Sequence, residues 1–558
     1  MSSRARAEHS DGSAEWEKAA LAGLVALIGA GFAVWVTGEL AGFLTSGTWM
    51  HVAIEKLGGV FINLVKAPGD PAHAWPRQVR HLLPGPVLFY AVLVPVVTGI
   101  AVSGGVIWRA ATRALGERTS NRASKWATLR DLRPLIVAGP APSRLVLGRV
   151  GSKLIAGEER QSVIVLGPTQ SGKTTGFAIP ALLEWQGPVL ATSVKNDLLR
   201  DTIAARARRG GVWVYDPTSS TGLTTNRWSP LQTCSTWRGA QQTSSWLSSA
   251  ARGTGSGLAD ADFWYAAGAK ALAPYLFAAA ISGGGMSDVT RWINTQEQRE
   301  VAAILQAADI PQALEAAVAT WKREPRQKSS VFTTVETVLA AYEDPMVASS
   351  ATDPDVTPEH LLDGTWRSLY VVSPSHEQRR LRPLFETLLQ AVINSAFELS
   401  AQRGRPLDPP LLVVLDEAAN IAPLRDLDTL ASTAASHGIQ LVSVFQDLAQ
   451  ISNRYAERTQ TVVNNHRAKI IASGISDTQT LEYASRLLGD EEVLQSSVTR
   501  GRYGARSTTE SVALRNMAPA HVLRTIRPGE AIVVYGHLPP ARLRLRPWFR
   551  DKAFTQPK

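Results

Sequence analysis

The chain has 558 residues, of which 45% are hydrophobic and 19% are charged, and this composition indicates a globular protein of about three to four domain-sized units rather than a collagen-like, disordered or coiled-coil chain. Its single cysteine, Cys234, excludes a disulfide framework and a metal site made of cysteines alone. Lysine and arginine together number 58 against 48 for aspartate and glutamate, so an anionic partner is expected, either nucleic acid or a membrane surface.

Two long uncharged runs near the N-terminus predict a membrane anchor. No charged residue occurs within 19–38 or within 82–108, and about 20 apolar residues form a helix long enough to cross a bilayer. We therefore predict transmembrane helices near 19–38 and 86–108. A cleaved signal peptide is the alternative for the first run. However, that run is longer than the apolar segment of a signal peptide and acidic residues precede it, which favours a retained anchor.

The basic residues that follow the second run determine the predicted topology. They are frequent from Arg109 to Arg130, so the positive-inside rule places this end of the helix in the cytoplasm. We predict a cytoplasmic N-terminal tail at 1–18, a membrane anchor at 19–108 with an extracytoplasmic loop, and a large cytoplasmic part after it. The predicted location is the cell (cytoplasmic) membrane, which the chain crosses more than once.

The first part of the cytoplasmic sequence contains a phosphate-binding motif. After a predicted β-hairpin at 144–155, the residues 162–166 predict a strand that leads into GPTQSGKTT, and a helix is predicted over 174–185. In this setting the glycines of G-x-x-x-x-G-K-[ST] let backbone N–H groups face phosphate oxygens, the lysine pairs with the β and γ phosphates, and the hydroxyl reaches Mg²⁺. The alternative is a glycine-rich turn that contains Lys-Thr by chance. ATP and Mg²⁺ are the predicted cofactors, and the predicted nucleotide-binding residues are Gly167, Pro168, Thr169, Gln170, Ser171, Gly172, Lys173, Thr174 and Thr175.

The second half of a nucleotide site must supply a carboxylate that holds the metal and a base that activates water. Residues 411–415 (LLVVL) have the pattern of a buried strand and end in Asp416 and Glu417, at the carboxyl edge where α/β proteins bind ligands. We predict that Asp416 and Thr174 hold Mg²⁺, and that Glu417 and Lys173 are catalytic. Taken alone, the Asp-Glu pair could instead cap a helix.

Gln446 ends the strand predicted over 439–445 and is the third predicted catalytic residue. An amide both donates and accepts hydrogen bonds, so it can sense the γ-phosphate and couple hydrolysis to movement; the alternative is a simple polar residue at a strand end. All the strands together predict an α/β fold, a P-loop NTPase of the RecA type with a parallel sheet. The remaining predicted core strands are 187–193, 211–216, 368–373, 469–474 and 530–535.

The long interval between the phosphate loop and the Asp-Glu strand predicts an inserted domain. Residues 245–355 are rich in alanine, leucine, glutamate and glutamine and have few runs of β-branched residues, which is typical of helices. We predict an all-α domain at 245–355, which divides the NTPase domain into a first part at 109–245 and a second part at 356–558.

Several segments of the chain, taken together, resemble one family. Besides the two N-terminal spans and the phosphate loop, the matching segments are KWATLRDL (125–132), ADFWYAAGAKAL (261–272), LLVVLDEAAN (411–420), GIQLVSVFQD (438–447) and RPWFRDKAF (546–554). Their order is similar to that in the TraG/TraD-type type IV coupling proteins, and the resemblance covers nearly the whole chain.

This resemblance implies a function. Members of the family are inner-membrane ATPases that assemble as hexamers, receive DNA bound to a relaxase, or protein substrates, and pass them to a type IV secretion channel during conjugation. The implied partners are DNA bound without sequence preference, the relaxase or relaxosome, the channel proteins, the membrane, and further copies of this chain in a homo-hexamer. The resemblance also implies the ATPase roles given above for Lys173, Thr174, Asp416, Glu417 and Gln446, and contact of the all-α insertion with the relaxosome.

The chain departs from the family's pattern in one stretch. Related motors often carry an arginine between the Asp-Glu strand and the glutamine strand, where it acts on the neighbouring subunit, but residues 431–438 read ASTAASHG here. Arg454, Arg458 and Arg467 are the candidates for such an arginine finger, and a solvated surface position is the alternative for each of them.

Two other functions fit the sequence. One is another membrane-anchored translocase, either an FtsK-like DNA pump or a protein-export ATPase, although the helical insertion argues against the FtsK-like pump. The other is a nucleotide-binding scaffold that does not hydrolyse, although Glu417 argues against it because a pure switch needs no second carboxylate. The basic excess fits a motor that contacts nucleic-acid phosphates, but part of it lies in the run ARLRLRPWFR (541–550), which predicts an edge strand or, alternatively, a subunit surface.

Overall fold

The computed structural model describes residues 29–119, 125–252, 259–421, 423–500 and 506–555. The chain divides into an N-terminal unit, Met1–Arg122, and a C-terminal unit, Ala123–Lys558. All the residues predicted to bind or hydrolyse a nucleotide belong to the C-terminal unit.

The described part of the N-terminal unit is mainly helical. Its α-helices are α1 (29–46), α2 (Leu57–Lys66) and α3 (Pro86–Thr119). Within α3, the segment Pro86–Gly105 is long and apolar enough to cross a membrane, and it is the one such helix among the described residues. It begins where the second transmembrane helix is predicted. The first predicted transmembrane helix, 19–38, lies partly outside the described residues, so the existence of two spans stays a prediction.

The connection between α1 and α3 is a packed structure rather than a plain loop. Helix α1 continues past the predicted end at residue 38. The carboxylate of Glu39 accepts hydrogen bonds from the backbone N–H groups of Met50 (3.0 Å) and Val52 (2.9 Å). Trp75 packs so closely on Gly38 that a Cβ there would lie 1.9 Å from the indole ring.

The C-terminal unit is built on a large sheet. Its strands are β1 (Ile136–Val137), β2 (Val146–Val150), β3 (Lys153–Ala156), β4 (Val163–Leu166), β5 (Val189–Ser193), β6 (Val212–Tyr215), β7 (Ser368–Val372), β8 (Leu411–Leu415), β9 (Ile439–Phe445), β10 (Ala468–Ala472), β13 (Glu530–Tyr535) and β14 (Ala541–Arg544). They lie in the order β1-β3-β2-β14-β13-β10-β4-β9-β8-β5-β7-β6. A separate two-stranded ribbon consists of β11 (Asp490–Arg500) and β12 (Arg506–Asn516).

The large sheet is mixed, which corrects the prediction of a parallel sheet. From β10 to β6 in this order, each strand is parallel to the next. The strands from β1 to β13 form an antiparallel wing, and β13 is also antiparallel to β10, with Ile532 opposite Ile471. An apolar run predicts that a strand is buried but not which way it runs, so the direction of residues 530–535 could not be predicted.

Strand β14 lies inside the sheet, so the prediction of an edge strand at 541–550 is wrong. It pairs with β13 on one side, where Arg542 is opposite Ile532, and with β2 on the other, where Arg544 is opposite Arg149. The alternation seen in the sequence is preserved, because Ala541 and Leu543 are buried whereas Arg542 and Arg544 are exposed.

Helices cover the parallel strands, whose apolar residues are buried on both faces as expected for a parallel sheet. The α-helices of the C-terminal unit, as far as the structure describes it, are α4 (Ile179–Glu184), α5 (Asn196–Ala207), α6 (Trp237–Ala251), α7 (Ala259–Ser282), α8 (Met286–Asn294), α9 (Arg299–Ala307), α10 (Pro311–Trp321), α11 (Pro325–Leu339), α12 (Pro345–Ser349), α13 (Pro358–Leu361), α14 (Gln378–Arg403), α15 (Leu427–Thr433), α16 (Leu448–Tyr455), α17 (Thr459–Asn465), α18 (Thr478–Leu488), α19 (Ala520–Arg524) and α20 (Lys552–Thr555).

Helices α6 to α13 lie between β6 and β7 in chain order. Helix α6 packs on both α7 and α14. One continuous apolar core joins this helical stretch to the sheet, because Leu276 of α7, Phe385 of α14 and Leu190 of β5 belong to the same cluster of buried side chains. The helices therefore stabilise the sheet as well as each other.

Candidate functional site

The site lies where parallel strands β4 and β8 end at the same edge of the sheet. Residues 167–173 follow β4, and Asp416 and Glu417 follow β8. Strand β9 lies between them: Phe445 at its end is opposite Leu166, and its carbonyl accepts a hydrogen bond from the N–H of Gly167 (3.2 Å). The strand order therefore brings two distant segments of the chain to one place.

The loop at 167–173 depends on its two glycines. A Cβ at Gly167 would lie 2.7 Å from Ser171 Oγ and 2.8 Å from Ala472 Cβ, so no larger residue fits without movement of the loop. Gly172 has a φ of +86°, in the left-handed region that favours glycine. The chain then continues as a π-helical turn, Thr174–Ala178, into α4.

Lys173 is buried within this loop. Its ammonium group donates hydrogen bonds to the carbonyl groups of Gly167 and of Pro168, the latter over 2.8 Å. Burial lowers the pKa of Lys173, and the nearby carboxylates of Asp416 and Glu417 oppose that effect. The positive charge is thus held inside the curve of the loop, facing the two carboxylates.

Thr174 and Asp416 form a pair of oxygen ligands suited to a hard cation. The Thr174 hydroxyl donates a hydrogen bond to Asp416 Oδ2 over 3.1 Å. Burial raises the pKa of Asp416 to about 6, the hydroxyl of Thr174 opposes this, and the neighbouring Glu417 adds to it. A buried carboxylate beside a hydroxyl fits Mg²⁺, which prefers oxygen ligands and would compensate the buried negative charge.

Glu417 adopts an unusual backbone conformation. Its φ is +56°, which is uncommon for a residue other than glycine and stores of order 1 kcal/mol of strain. Its carboxylate accepts a hydrogen bond from Asn420 Nδ2 (3.2 Å). The strained turn directs the backbone away from β8 immediately after Asp416, and both acidic residues line the same cavity as the phosphate loop.

Gln446 is near this cavity but is not among its lining residues. It directly follows Phe445 at the end of β9, and its backbone N–H donates a hydrogen bond to Gln450 Oε1 (2.9 Å). The structure thus brings Gln446 to the same sheet edge as the phosphate loop.

Three further residues line the cavity and were not predicted from the sequence: Val194, Lys195 and Asp197. They follow β5, which pairs with β8 so that Thr192 is opposite Leu415. The signal was available, since polar residues directly after a predicted strand at 187–193 are expected at the carboxyl edge that binds ligands.

The candidates for an arginine finger are all engaged within this chain. Arg454 donates to the carbonyl group of Pro423 (2.7 Å) and lies 3.6 Å from the buried Glu386. The other two are more exposed, and their ion pairs are Arg458 with Asp426 and Asp428, and Arg467 with Glu158. Each would have to leave its partners in order to act on a neighbouring subunit.

The segment after β14 contacts the phosphate loop and its helix. The backbone N–H of Arg546 donates to the carbonyl group of Gly176 (3.0 Å), and that of Trp548 donates to the carbonyl group of Thr175 (3.1 Å). The buried Arg546 guanidinium is held by Glu184 (2.8 and 2.9 Å) and Asp551 (2.7 Å). These contacts fix the C-terminal segment against the nucleotide site and were not predicted from the sequence.

Comparison with known proteins gives consistent results. A family described as "Type IV secretory system Conjugative DNA transfer" matches residues 137–558. The conjugal transfer protein TraG of Escherichia coli is 24% identical over 369 residues, which cover 61% of this chain and 56% of that protein. The VirD4 protein of Rhizobium radiobacter is 23% identical over 424 residues, which cover 73% of this chain and 59% of that protein. The chain thus spans between half and two thirds of the length of these relatives.

Solved structures share the fold. A structure described as "Plasmid coupling protein TrwB in complex with ADP and Mg2+" superposes with a TM-score of 0.59, covers 78% of this chain and 96% of its own, and is 19% identical in sequence. An unbound form of the TrwB coupling protein superposes with a TM-score of 0.60 at 18% identity. The chain therefore shares the α/β fold of the TrwB coupling protein.

Proposed function

Because this chain belongs to the TraG/TraD-type coupling proteins, the family described as type IV secretory system conjugative DNA transfer, we propose that it is a membrane-anchored ATPase that drives the transfer of DNA or protein substrates into a type IV secretion channel. The single observation that carries the ATPase part is the hydrogen bond between Thr174 and Asp416 beside Lys173 and Glu417. The TrwB structures with ADP and Mg²⁺, and with an ATP analogue, support a nucleotide as the ligand.

Each residue of the site has its own role in ATP hydrolysis. The backbone N–H groups of 169–173 and the Lys173 ammonium bind the phosphates, and Thr174 and Asp416 would hold Mg²⁺. Bound Mg²⁺ supplies positive charge against the phosphates. Glu417 orients a water molecule and accepts its proton, for which its place at the cavity wall is suitable. Gln446 sits at the end of β9, between the two halves of the site, and transmits the state of the γ-phosphate.

The other parts of the chain anchor it in the membrane, select the substrate and form the ring. The helix Pro86–Gly105 and the predicted helix at 19–38 anchor the chain in the cell membrane, with the NTPase domain in the cytoplasm. The helices between β6 and β7 form the surface that selects the relaxosome or protein substrate. A homo-hexameric ring places each nucleotide at a subunit interface. These assignments rest on the family to which the chain belongs and on the sequence.

The ATPase is tested on the full chain in detergent micelles, with and without single- and double-stranded DNA. The Glu417→Gln variant should retain nucleotide binding and lose turnover by about 10² to 10⁴-fold, the range of one general base. Glu457→Gln makes the same chemical change at an exposed position outside the cavity and should hydrolyse ATP like the wild type. If the wild-type chain binds nucleotide but does not hydrolyse it, even with DNA, the proposed motor function is wrong and the chain is a non-hydrolysing scaffold.

The role in transfer is tested in cells that carry the rest of the conjugation system. Lys173→Ala and Glu417→Gln should abolish DNA transfer while the protein still enters the membrane fraction, and Glu457→Gln should transfer normally. Normal transfer by either site variant would contradict a motor role for this chain.

The topology is tested by cysteine labelling, because the single native cysteine, Cys234, is buried. In intact cells a membrane-impermeant maleimide should label a Lys66→Cys variant, whose position is exposed and lies in the predicted extracytoplasmic connection. The wild-type chain should not react. Labelling of Lys66→Cys only after cell lysis would contradict the predicted topology.

A further inference from the structure

A second cavity, of about 560 Å³, lies on the antiparallel wing of the sheet. It is separate from the nucleotide cavity, and no residue lines both. Most of its charged lining side chains are basic. The basic lining residues are Arg149, Arg527, Arg544, Arg546, Arg550 and Lys552, and the acidic ones are Glu530 and Asp551. We call this cavity the basic cleft.

The positive charge of the basic cleft is only partly neutralised. Arg546 is paired with Glu184 and Asp551, and Arg149 lies 3.5 Å from the same Asp551. The exposed side chains of the other four basic residues form no ion pair with any part of the chain that the structure describes; they are Arg527, Arg544, Arg550 and Lys552. Glu530 alone cannot balance them, so the cleft carries excess positive charge.

The fold places the basic side chains of Arg149 and Arg544 on neighbouring strands. Alternation along β14 buries Leu543 and exposes Arg544, and the register of the sheet sets Arg544 opposite Arg149. Like charges directly opposite each other on neighbouring strands are destabilising. Arg149 has the carboxylate of Asp551 3.5 Å away, whereas Arg544 forms no ion pair within the described chain, so an anionic ligand in the cleft would reduce the repulsion.

An exposed aromatic ring lies beside the basic residues. The side chain of Phe549 is 51% exposed, and the guanidinium of Arg550 lies 5.6 Å from the centre of its ring. Basic side chains that contact phosphates, next to an aromatic ring on which a base can stack, are the combination found in sites for single-stranded nucleic acid. A lipid headgroup or a free phosphate would make no use of the ring.

The floor of the basic cleft is connected to the nucleotide site. Leu545 and Arg546 line the cleft, and the same segment donates the two backbone hydrogen bonds from Arg546 to Gly176 and from Trp548 to Thr175. Segment 545–548 therefore connects the basic cleft to the π-helical turn that directly follows the phosphate loop.

We propose that the basic cleft binds the phosphate backbone of single-stranded nucleic acid, and that segment 545–548 couples its occupancy to the nucleotide site. The proposal rests on the proposed function, in which the chain acts on DNA.

The test measures binding of a fluorescein-labelled single-stranded DNA of 30 nucleotides to the full chain in detergent, by anisotropy, at several salt concentrations. The Arg544→Ala/Arg550→Ala double variant should bind about 10-fold more weakly, and its slope of log affinity against log salt should be smaller by about 1.4, since each phosphate contact on a single strand contributes about 0.7. Phe549→Ala should weaken binding without changing the slope, because it removes a stacking contact rather than a charge.

The matched control is Arg403→Ala/Arg405→Ala, which removes two exposed arginines at the C-terminal end of α14. It should bind DNA with the wild-type affinity and slope. Without DNA, both double variants should hydrolyse ATP like the wild type, because none of the four arginines lines the nucleotide cavity. With DNA, stimulation of hydrolysis should be lost in the cleft variant and kept in the control.

The possible failures are distinguishable. Wild-type affinity and slope in the cleft variant, with intact DNA binding and hydrolysis, would overturn the proposal and leave the proposed function standing. Equal binding of duplex DNA, with no effect of Phe549→Ala, would overturn the assignment to single strands. A wild-type chain that hydrolyses ATP but binds no DNA at low salt would overturn both the cleft and the DNA part of the proposed function.

Discussion

The hydroxyl of Thr174 donates a hydrogen bond to the carboxylate of Asp416 over 3.1 Å, although the two residues are 242 positions apart in the chain. One follows the phosphate loop after β4 and the other follows β8, and β9 lies between these strands. The two halves of the nucleotide site therefore depend on the strand order rather than on any local feature of the chain.

Asp416→Asn should reduce ATP hydrolysis by at least about 100-fold, the effect of removing one electrostatic group from a phosphoryl-transfer site. The carboxamide keeps the shape of the side chain and the hydrogen bond from Thr174, but loses the negative charge that holds Mg²⁺. The measurement is hydrolysis as a function of Mg²⁺ concentration, with binding of ADP in EDTA as a second reading. Binding without Mg²⁺ should be unchanged or stronger. The control Asp309→Asn, at an exposed position, should behave as wild type.

Gly167→Ala should distort the phosphate loop and weaken nucleotide binding at least 10-fold. The new methyl group would lie 2.7 Å from Ser171 Oγ and 2.8 Å from Ala472 Cβ, so either the loop or β10 must move. Such overpacking costs about 1–3 kcal/mol. The control Gly139→Ala has open space around its Cβ in the described structure. Titration with a fluorescent ATP analogue measures the effect, and equal affinities of the two variants would contradict it.

Arg546→Ala should destabilise the C-terminal unit by about 3 kcal/mol, because it leaves the largely buried Glu184 without its partner and Asp551 with only the more distant Arg149, 3.5 Å away. It should also weaken nucleotide binding, since Arg546 adjoins the loop. The midpoint of urea unfolding, followed by tryptophan fluorescence, measures the first effect. Arg550→Ala removes a neighbouring exposed arginine and should shift the midpoint little.

Glu386→Gln should make the free energy of unfolding of the chain less dependent on pH. Burial raises the pKa of Glu386 to about 7, and Arg454 and Arg382 only partly oppose this. Since the pKa in the folded chain lies above the ordinary value of 4.5, the folded state keeps a proton that the unfolded state has lost. The wild type therefore loses up to about 1.4 kcal/mol of stability per pH unit between about pH 4.5 and 7.

The variant lacks this loss, so its unfolding midpoint should rise relative to the wild type as the pH is raised from 5 to 7, and the difference should level off above pH 7. Glu398→Gln, at an exposed position on the same helix, should follow the wild type at every pH. A constant difference between Glu386→Gln and the wild type across this range would show that Glu386 is ionised throughout.

The phosphate loop, the Asp-Glu pair and most core strands could be predicted from sequence because their signals are local. Gly167 is required by close packing and Gly172 by its positive φ, and these two residues and Lys173 all lie within seven residues. The mostly apolar runs at 411–415, 439–445 and 530–535 became strands with those same bounds, since burial on both faces favours apolar residues, although β9 also buries Gln440 and Ser443.

Only the tertiary structure decided which of these segments meet and in which direction they run. Strand β13 proved antiparallel and β14 internal, and Arg454, Arg458 and Arg467 proved to be engaged by distant residues of their own chain. Lys195 joined the nucleotide cavity through the pairing of β5 with β8. The physical reason is that hydrophobic alternation specifies how deeply a residue is buried, whereas strand order and direction, and contacts between residues hundreds of positions apart, depend on how the whole core packs.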